Sequence, residues 1–152
     1  MIHPPYERGT MNESQKPLIL VIDDETQILD EVTAVLSQNG YEGYGCSNEE
    51  EACEFASKTR PDLIISDINL GGESGLRVCE KLKNEYGFTD VPVMFLSGAQ
   101  IPDIIRRSHE AGGTYYLRKP FDPQVLIELV DKALWMPHLV HAHQQEEAAT
   151  TP

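Results

Sequence analysis

The sequence predicts an α/β fold, an open five-stranded parallel sheet with helices on both faces. Three observations lead there. Short apolar runs at Leu18–Ile22, 63–65, 91–96 and 115–117 are continuous rather than alternating, the pattern of strands covered on both sides. Stretches with apolar residues at helical spacing lie between them, so strand and helix alternate along the chain. The 152 residues are enough for one domain of five strand–helix units joined by right-handed crossovers, with room for little else.

Residues 1–16 are polar, with Pro4, Pro5, Gly9 and Asn12, and read as a flexible arm. The first strand, Leu18–Ile22, follows Pro17 at once. Ile28, Leu29, Val32, Val35 and Leu36 then trace one face of a helix, which Asn39-Gly40 stops. Residues 41–46 carry two glycines and form the weakest strand, which places it at a sheet edge. Ser47 with Glu50 fits a capping box for a second helix, with Ala52, Phe55 and Ala56 on its inner side. Arg60-Pro61-Asp62 breaks that helix before the strand ending at Asp67.

The loop Asn69-Leu70-Gly71-Gly72 leads into a third helix marked by Leu76, Cys79 and Leu82. After the run 91–96, a fourth helix is expected from about Pro102 to Ala111, with Ile101, Ile104 and Ile105 inward and Gly112-Gly113 at its end. The fifth strand closes at Lys119-Pro120. Asp122-Pro123 then supplies an N-cap with proline at the first helical position, before Val125, Leu126, Leu129, Val130, Ala133 and Leu134. From Pro137 the chain is polar, so residues 17–136 form the domain and 137–152 a flexible tail.

Composition narrows the function. A formal net charge of −13 repels phosphate backbones and anionic lipid, which argues against direct nucleic-acid binding. The run Glu49-Glu50-Glu51 with Glu54 reads as a solvated helix face. Cys46, Cys53 and Cys79 are odd in number and lack C-x-x-C spacing, so they suggest neither a disulfide framework nor a zinc site. The N-terminus has no signal-peptide pattern, and no stretch approaches the roughly 18 apolar residues of a spanning helix. A cytoplasmic protein is the expectation.

The polar residues that end the strands carry the chemistry. They are Asp23-Asp24, Asp67, Ser97 and Lys119. In an open α/β sheet, ligands sit outside the carboxyl ends of the strands. Three carboxylates, a hydroxyl and an ammonium gathered there would hold a divalent cation and a phosphoryl group. Singly, each reads more plainly: an acidic group in a first helical turn, a strand-end aspartate, a turn hydroxyl, a surface lysine.

In order and spacing, these fragments closely resemble the response-regulator receiver domain of two-component signalling. The resemblance covers residues 17–136 and rests on Val21-Ile22-Asp23-Asp24-Glu25, Ile65-Ser66-Asp67, Gly75 eight residues further on, Ser97-Gly98-Ala99, and Tyr116-Leu117-Arg118-Lys119-Pro120-Phe121. It implies strand order 2-1-3-4-5, a flavodoxin-like doubly wound sheet. It also implies that Asp67 is the phosphorylated carboxylate. Asp24 and Asp67 would be direct Mg²⁺ ligands, Asp23 a ligand directly or through water, and the backbone carbonyl of Asn69 a further one. Asn69 reads equally as a turn residue. Ser97 and Lys119 would contact the phosphoryl oxygens, Ser97 and Tyr116 would act as the switch, and Lys119-Pro120 would be a cis peptide.

The implied partners are a histidine kinase or histidine phosphotransfer protein, and a downstream protein docking on the face of the fourth helix, fifth strand and fifth helix. Arg106, Arg107 and Arg118 would give that face a positive patch, and a homodimer is a further possibility of the family. Two departures from the family stand out. Gly71 replaces a common proline, which implies a more mobile loop, and Ser97 replaces the commoner threonine.

The reading is therefore a stand-alone phosphoacceptor switch, with a phosphoryl carrier in a phosphorelay as the alternative. It would catalyse only its own phosphorylation and dephosphorylation. A Mg²⁺-dependent aspartyl phosphatase would need an aspartate where Asn69 stands. A constitutive binding module does not need the full acidic, hydroxyl and lysine set. No G-x-G-x-x-G or P-loop supports nucleotide binding. His138, His141 and His143 in the tail read as polar tail residues, since a zinc site needs a closed fourth ligand and a rigid frame.

Overall fold

A computed structural model describes residues 16–98 and 115–135. Residues 1–15 of the arm, the helix expected near 102–111 with Arg106 and Arg107, and the tail with its three histidines lie outside the described residues. The strands are β1 (Leu18–Ile22), β2 (Glu42–Cys46), β3 (Leu63–Asp67), β4 (Val93–Ser97) and β5 (Tyr115–Arg118). All pair in parallel, in the order β2-β1-β3-β4-β5. The helices are α1 (Thr26–Gln38), α2 (Glu49–Lys58), α3 (Gly75–Glu85) and α4 (Pro123–Trp135), the last being the fifth helix of the sequence reading.

The continuous apolar runs have a direct explanation in the core. Alternate residues of one strand enter opposite layers. Leu20 and Ile22 of β1 join Phe55 of α2 and Val78 and Leu82 of α3 on one face, with Ile64 and Phe95. Ile19 and Val21 join Val32 and Leu36 of α1 and Leu126 and Val130 of α4 on the other, with Ile65 and Met94. Each such side chain, fully buried, contributes about 1.5–3 kcal/mol. The buried polar residues of β3 and β4 accordingly fall at their carboxyl ends, Ser66 and Asp67 in β3 and Ser97 in β4.

Several boundaries differ from the sequence reading for local reasons. β4 starts at Val93 rather than 91, because Pro92 has no N–H to give a ladder and Val91 instead closes a turn onto the Phe88 carbonyl at 3.1 Å. The α2 cap lies one residue later than expected. Asn48, not Ser47, is the N-cap, and its side chain accepts from the Glu51 N–H at 2.9 Å. Glu51, not Glu50, reaches back to accept from the Ser47 N–H at 2.7 Å. Glu49 opens α2 and binds across to α3, accepting from Lys81 at 3.0 Å and from Arg77.

The loop after Asp67 is more regular than expected. Residues 69–70 and 73–74 pair as a short antiparallel hairpin, Asn69 opposite Ser74 and Leu70 opposite Glu73. Gly71 and Gly72 form its turn with φ of +62° and +104°. Positive φ at both central positions is the requirement of a type I′ turn, which glycine meets without strain.

At the amino end of the sheet, Trp135 of α4 donates to the Tyr41 hydroxyl at 2.7 Å, and that hydroxyl donates to Asp131. Trp135 thus lies at the opposite end of the sheet from Asp67 and reports on the seating of α4. The cysteines are free, with Cys46 and Cys79 buried. Burial pushes both of those thiols up to about 12, which keeps them protonated and unreactive at neutral pH. Among the described residues, no helix is long and apolar enough to cross a membrane.

Candidate functional site

The parallel register brings the polar strand ends together. Asp67 is the last residue of β3 and Ser97 the last of β4, while Asp23 and Lys119 each follow a strand by one residue. The backbone ladder extends past those ends: Asp23 N–H donates to the Cys46 carbonyl at 3.0 Å, and Lys119 N–H to the Ser97 carbonyl at 2.8 Å. Strand pairing, rather than loop packing, therefore fixes where these side chains begin. The Lys119-Pro120 bond is cis, as expected.

Lys119 is the centre of the site. Its ammonium lies 2.7 Å from Asp67 Oδ2, 2.8 Å from Asp23 Oδ2 and 3.2 Å from Glu25 Oε1. The contact with Asp23 is a charge pair rather than a well-aligned hydrogen bond. The second oxygens of both aspartates accept backbone donors, Asp23 Oδ1 from Glu25 N–H and Asp67 Oδ1 from Asn69 N–H, each at 2.9 Å. Those bonds fix the carboxylate planes. Asp24, Asn69 and Ser97 line the same open pocket beside Asp67 and Lys119. Asp24 and Asn69 are exposed there, whereas Ser97 is buried.

Electrostatics shows a site short of positive charge. Burial raises the Asp23 carboxyl above the ordinary aspartate range; Lys119 and the Glu25 N–H oppose that shift, and Asp67 adds to it. Burial alone would lower Lys119, but Asp23 and Asp67 outweigh it and hold the ammonium well above the usual lysine range. The lysine is therefore charged at any physiological pH. Donor atoms of Asp23, Asp24, Glu25 and Asp67 all lie within 4.8 Å of one another. Among the described residues, four hard oxygen donors face one ammonium, a set that suits a hard divalent cation.

Two glycines shape the surroundings. A β-carbon on Gly71 would stand 2.8 Å from Asp24 Oδ2, so the hairpin turn comes within contact of that carboxylate. A β-carbon on Gly75 would overlap the Asp67 carbonyl oxygen. Gly75 N–H also donates to the Ile68 carbonyl at 2.7 Å, which seats the first turn of α3 against the end of β3. This accounts physically for the glycine eight residues after Asp67.

Comparison with known proteins agrees with the geometry. The response regulator receiver domain family matches residues 19–131. The chain belongs to that family. Among curated relatives, the receiver is 32% identical over 109 residues to the phosphate regulon transcriptional regulatory protein PhoB of Pseudomonas aeruginosa, covering 72% of this chain and 48% of that protein. It is 34% identical over 115 residues to the DNA-binding dual master transcriptional regulator RpaA of Synechocystis, covering 75% of this chain and 47% of that one. The receiver thus spans about half the length of the curated relatives it matches. Among solved structures, the chemotaxis protein CheY4 of Vibrio cholerae superposes with a TM-score of 0.75 at 28% identity, covering 78% of this chain and 99% of that one. A response regulator from Chloroflexus aurantiacus gives a TM-score of 0.74 at 29% identity, covering 79% and 98%.

Every residue expected at the receiver's site is at the carboxyl edge of the sheet, with the exception of Tyr116. That residue lies on β5 opposite Phe95, half-buried against the core layer shared with α2 and α3. One site residue went unremarked in the sequence. Glu25 is the N-cap residue of α1, yet its side chain makes no capping bond and turns to Lys119 instead. The only signal was its place as the third acid of Asp23-Asp24-Glu25.

Proposed function

We propose that this receiver is a phosphoacceptor switch, in which Asp67 takes a phosphoryl group from a histidine kinase or histidine phosphotransfer protein. The observation that carries this reading is the Lys119 ammonium held by both Asp67 and Asp23 beside the Ser97 hydroxyl. A carboxylate oxygen of Asp67 attacks phosphorus, and the bond to the donor's leaving group breaks with its electron pair leaving on that group. Transfer of this kind depends on positioning and on neutralising the equatorial oxygens. Lys119 supplies a positive charge to one oxygen, and Ser97 Oγ donates to another. Asp23, Asp24, Asp67 and the Asn69 carbonyl are the groups that would hold Mg²⁺, which when bound supplies further charge neutralisation.

The same residues suggest how the signal leaves the site. An aspartyl phosphate adds charge beside Ser97 and draws its hydroxyl inward, which frees space toward Tyr116 on the adjacent strand. Output then passes through protein contacts on the face that includes β5 and α4. The acidic charge of the chain disfavours nucleic acid as its direct partner, and the buried, protonated thiols suit the cytoplasm.

Intact mass after incubation with acetyl phosphate tests this. The expected result is a gain of one phosphoryl group with Mg²⁺ present, no gain without it, and none in Asp67→Asn. A gain that survives in Asp67→Asn would overturn the assignment.

The cation site has its own check. Gly71→Ala should weaken Mg²⁺ binding by displacing Asp24, besides costing about 1 kcal/mol for a side chain at positive φ. Gly72→Ala strains the same turn with nothing within 4 Å of the new β-carbon, so it should spare Mg²⁺ binding. Mg²⁺ titrations followed by Tm separate the two.

A further inference from the structure

Glu25 occupies a position that the phosphoacceptor chemistry does not require. Lys119 is already paired with two buried carboxylates, so a third is not needed to balance its charge. Glu25 is also the most exposed of the three: its side chain is 61% accessible, against 0% for Asp23 and 8% for Asp67. It therefore lines the solvent-exposed side of the pocket that also holds Lys119 and Asp67. Nor is it serving the helix, since it is the N-cap of α1 with no side-chain capping bond.

The charge balance gives this position a consequence. Among the described residues, four clustered carboxylates against one ammonium leave an excess of three negative charges, and a divalent cation would still leave one. Any donor carrying a phosphoryl group is itself an anion. Resting on the phosphoacceptor reading of Asp67, we propose that Glu25 is a charge filter that selects donors of low negative charge and slows free dianionic ones. The favoured class is phosphorus–nitrogen compounds, whose nitrogen carries a proton before transfer. The disfavoured class is free acyl phosphates.

In both cases the Asp67 oxygen–phosphorus bond forms. With acetyl phosphate the phosphorus–oxygen bond breaks and acetate leaves with the electron pair. With phosphoramidate the phosphorus–nitrogen bond breaks and ammonia leaves, its nitrogen being already protonated. The donors are a dianion and a monoanion near neutral pH. The repulsion from Glu25 scales with that charge, so the factor for the dianion should be about the square of that for the monoanion.

The test compares the wild-type protein with Glu25→Gln and Glu25→Asp, each at saturating Mg²⁺ established by its own titration. Glu25→Gln should speed phosphorylation roughly threefold with phosphoramidate and roughly tenfold with acetyl phosphate at low ionic strength. Added salt should shrink both gains. Glu25→Asp keeps the charge and should stay close to wild type. In a separate binding experiment, sulfate should raise the Tm of Glu25→Gln at about tenfold lower concentration than it does for wild type. Equal gains for the two donors, or no gain, would overturn the filter. If neither protein takes up a phosphoryl group from any donor, the reading of Asp67 fails, and the sulfate comparison still judges Glu25: equal sulfate affinities would overturn its role.

Discussion

Gly75→Ala should be among the most destabilising single substitutions in this protein, lowering stability by on the order of 3 kcal/mol or more. The new methyl would overlap the backbone carbonyl oxygen of Asp67, which no side-chain rotation can relieve. Either the first turn of α3 moves off the end of β3, breaking the 2.7 Å bond from Gly75 N–H to the Ile68 carbonyl, or Asp67 itself shifts. Both outcomes also damage the site, because Asp67 is held from the backbone side by this contact. Urea or thermal unfolding followed by far-UV circular dichroism should show Tm falling by on the order of 10 °C. Gly87→Ala is the control. It places a side chain at φ +76° with nothing within 4 Å, and should cost only about 1 kcal/mol.

Lys119→Gln should have a large effect on both stability and reactivity. Removing the ammonium leaves the buried carboxylates of Asp23 and Asp67 facing each other without a countercharge. Breaking a buried pair in this way costs about 3–5 kcal/mol in the metal-free protein. Mg²⁺ should restore much of that loss. Phosphorylation at saturating Mg²⁺ should fall by roughly 10²–10³, the effect of removing one charge-stabilising group from a transition state.

The pH dependence follows from the direction of the shifts. Lys119 is raised by folding, so it contributes stability at all pH values below the ordinary lysine range and loses it only in strong alkali. Asp23 is raised as well, so the folded state binds its proton more tightly than the unfolded chain does. The stability this adds is present in acid and is lost as pH rises through the folded pKa. In Lys119→Gln the deficit should therefore be greatest at neutral pH and shrink on acidification, until general acid unfolding intervenes. Unfolding curves at several pH values, with and without Mg²⁺, check the sign.

The parts of the fold legible from sequence were those set by burial. Strands buried on both faces must be continuous apolar runs, and so their polar ends, Asp23, Asp67, Ser97 and Lys119, stand out against them. What was hidden depended on local competition or on distant partners. Ser47 and Asn48 both cap helices well and are followed by a run of three glutamates, so the capping box could sit in either register. Gly71-Gly72 reads as a loop, and only the pairing of Asn69 with Ser74 makes it a hairpin. Glu25 is only the third acid of Asp23-Asp24-Glu25 in the sequence, and it gains a partner when the chain after β5 brings Lys119 to within 3.2 Å of it.

Phosphorylation of Asp67 would create an acyl phosphate, a bond that chemical trapping detects at its own residue. The protein would be incubated with acetyl phosphate and Mg²⁺, denatured, reduced with borohydride and mapped by peptide mass spectrometry. Borohydride converts an aspartyl phosphate to homoserine and leaves a free carboxylate untouched. Homoserine is expected at position 67, at that position alone, and only in the sample that received both donor and Mg²⁺. Homoserine at another aspartate, or a phosphorylated protein with an unreduced Asp67, would contradict phosphorylation at Asp67.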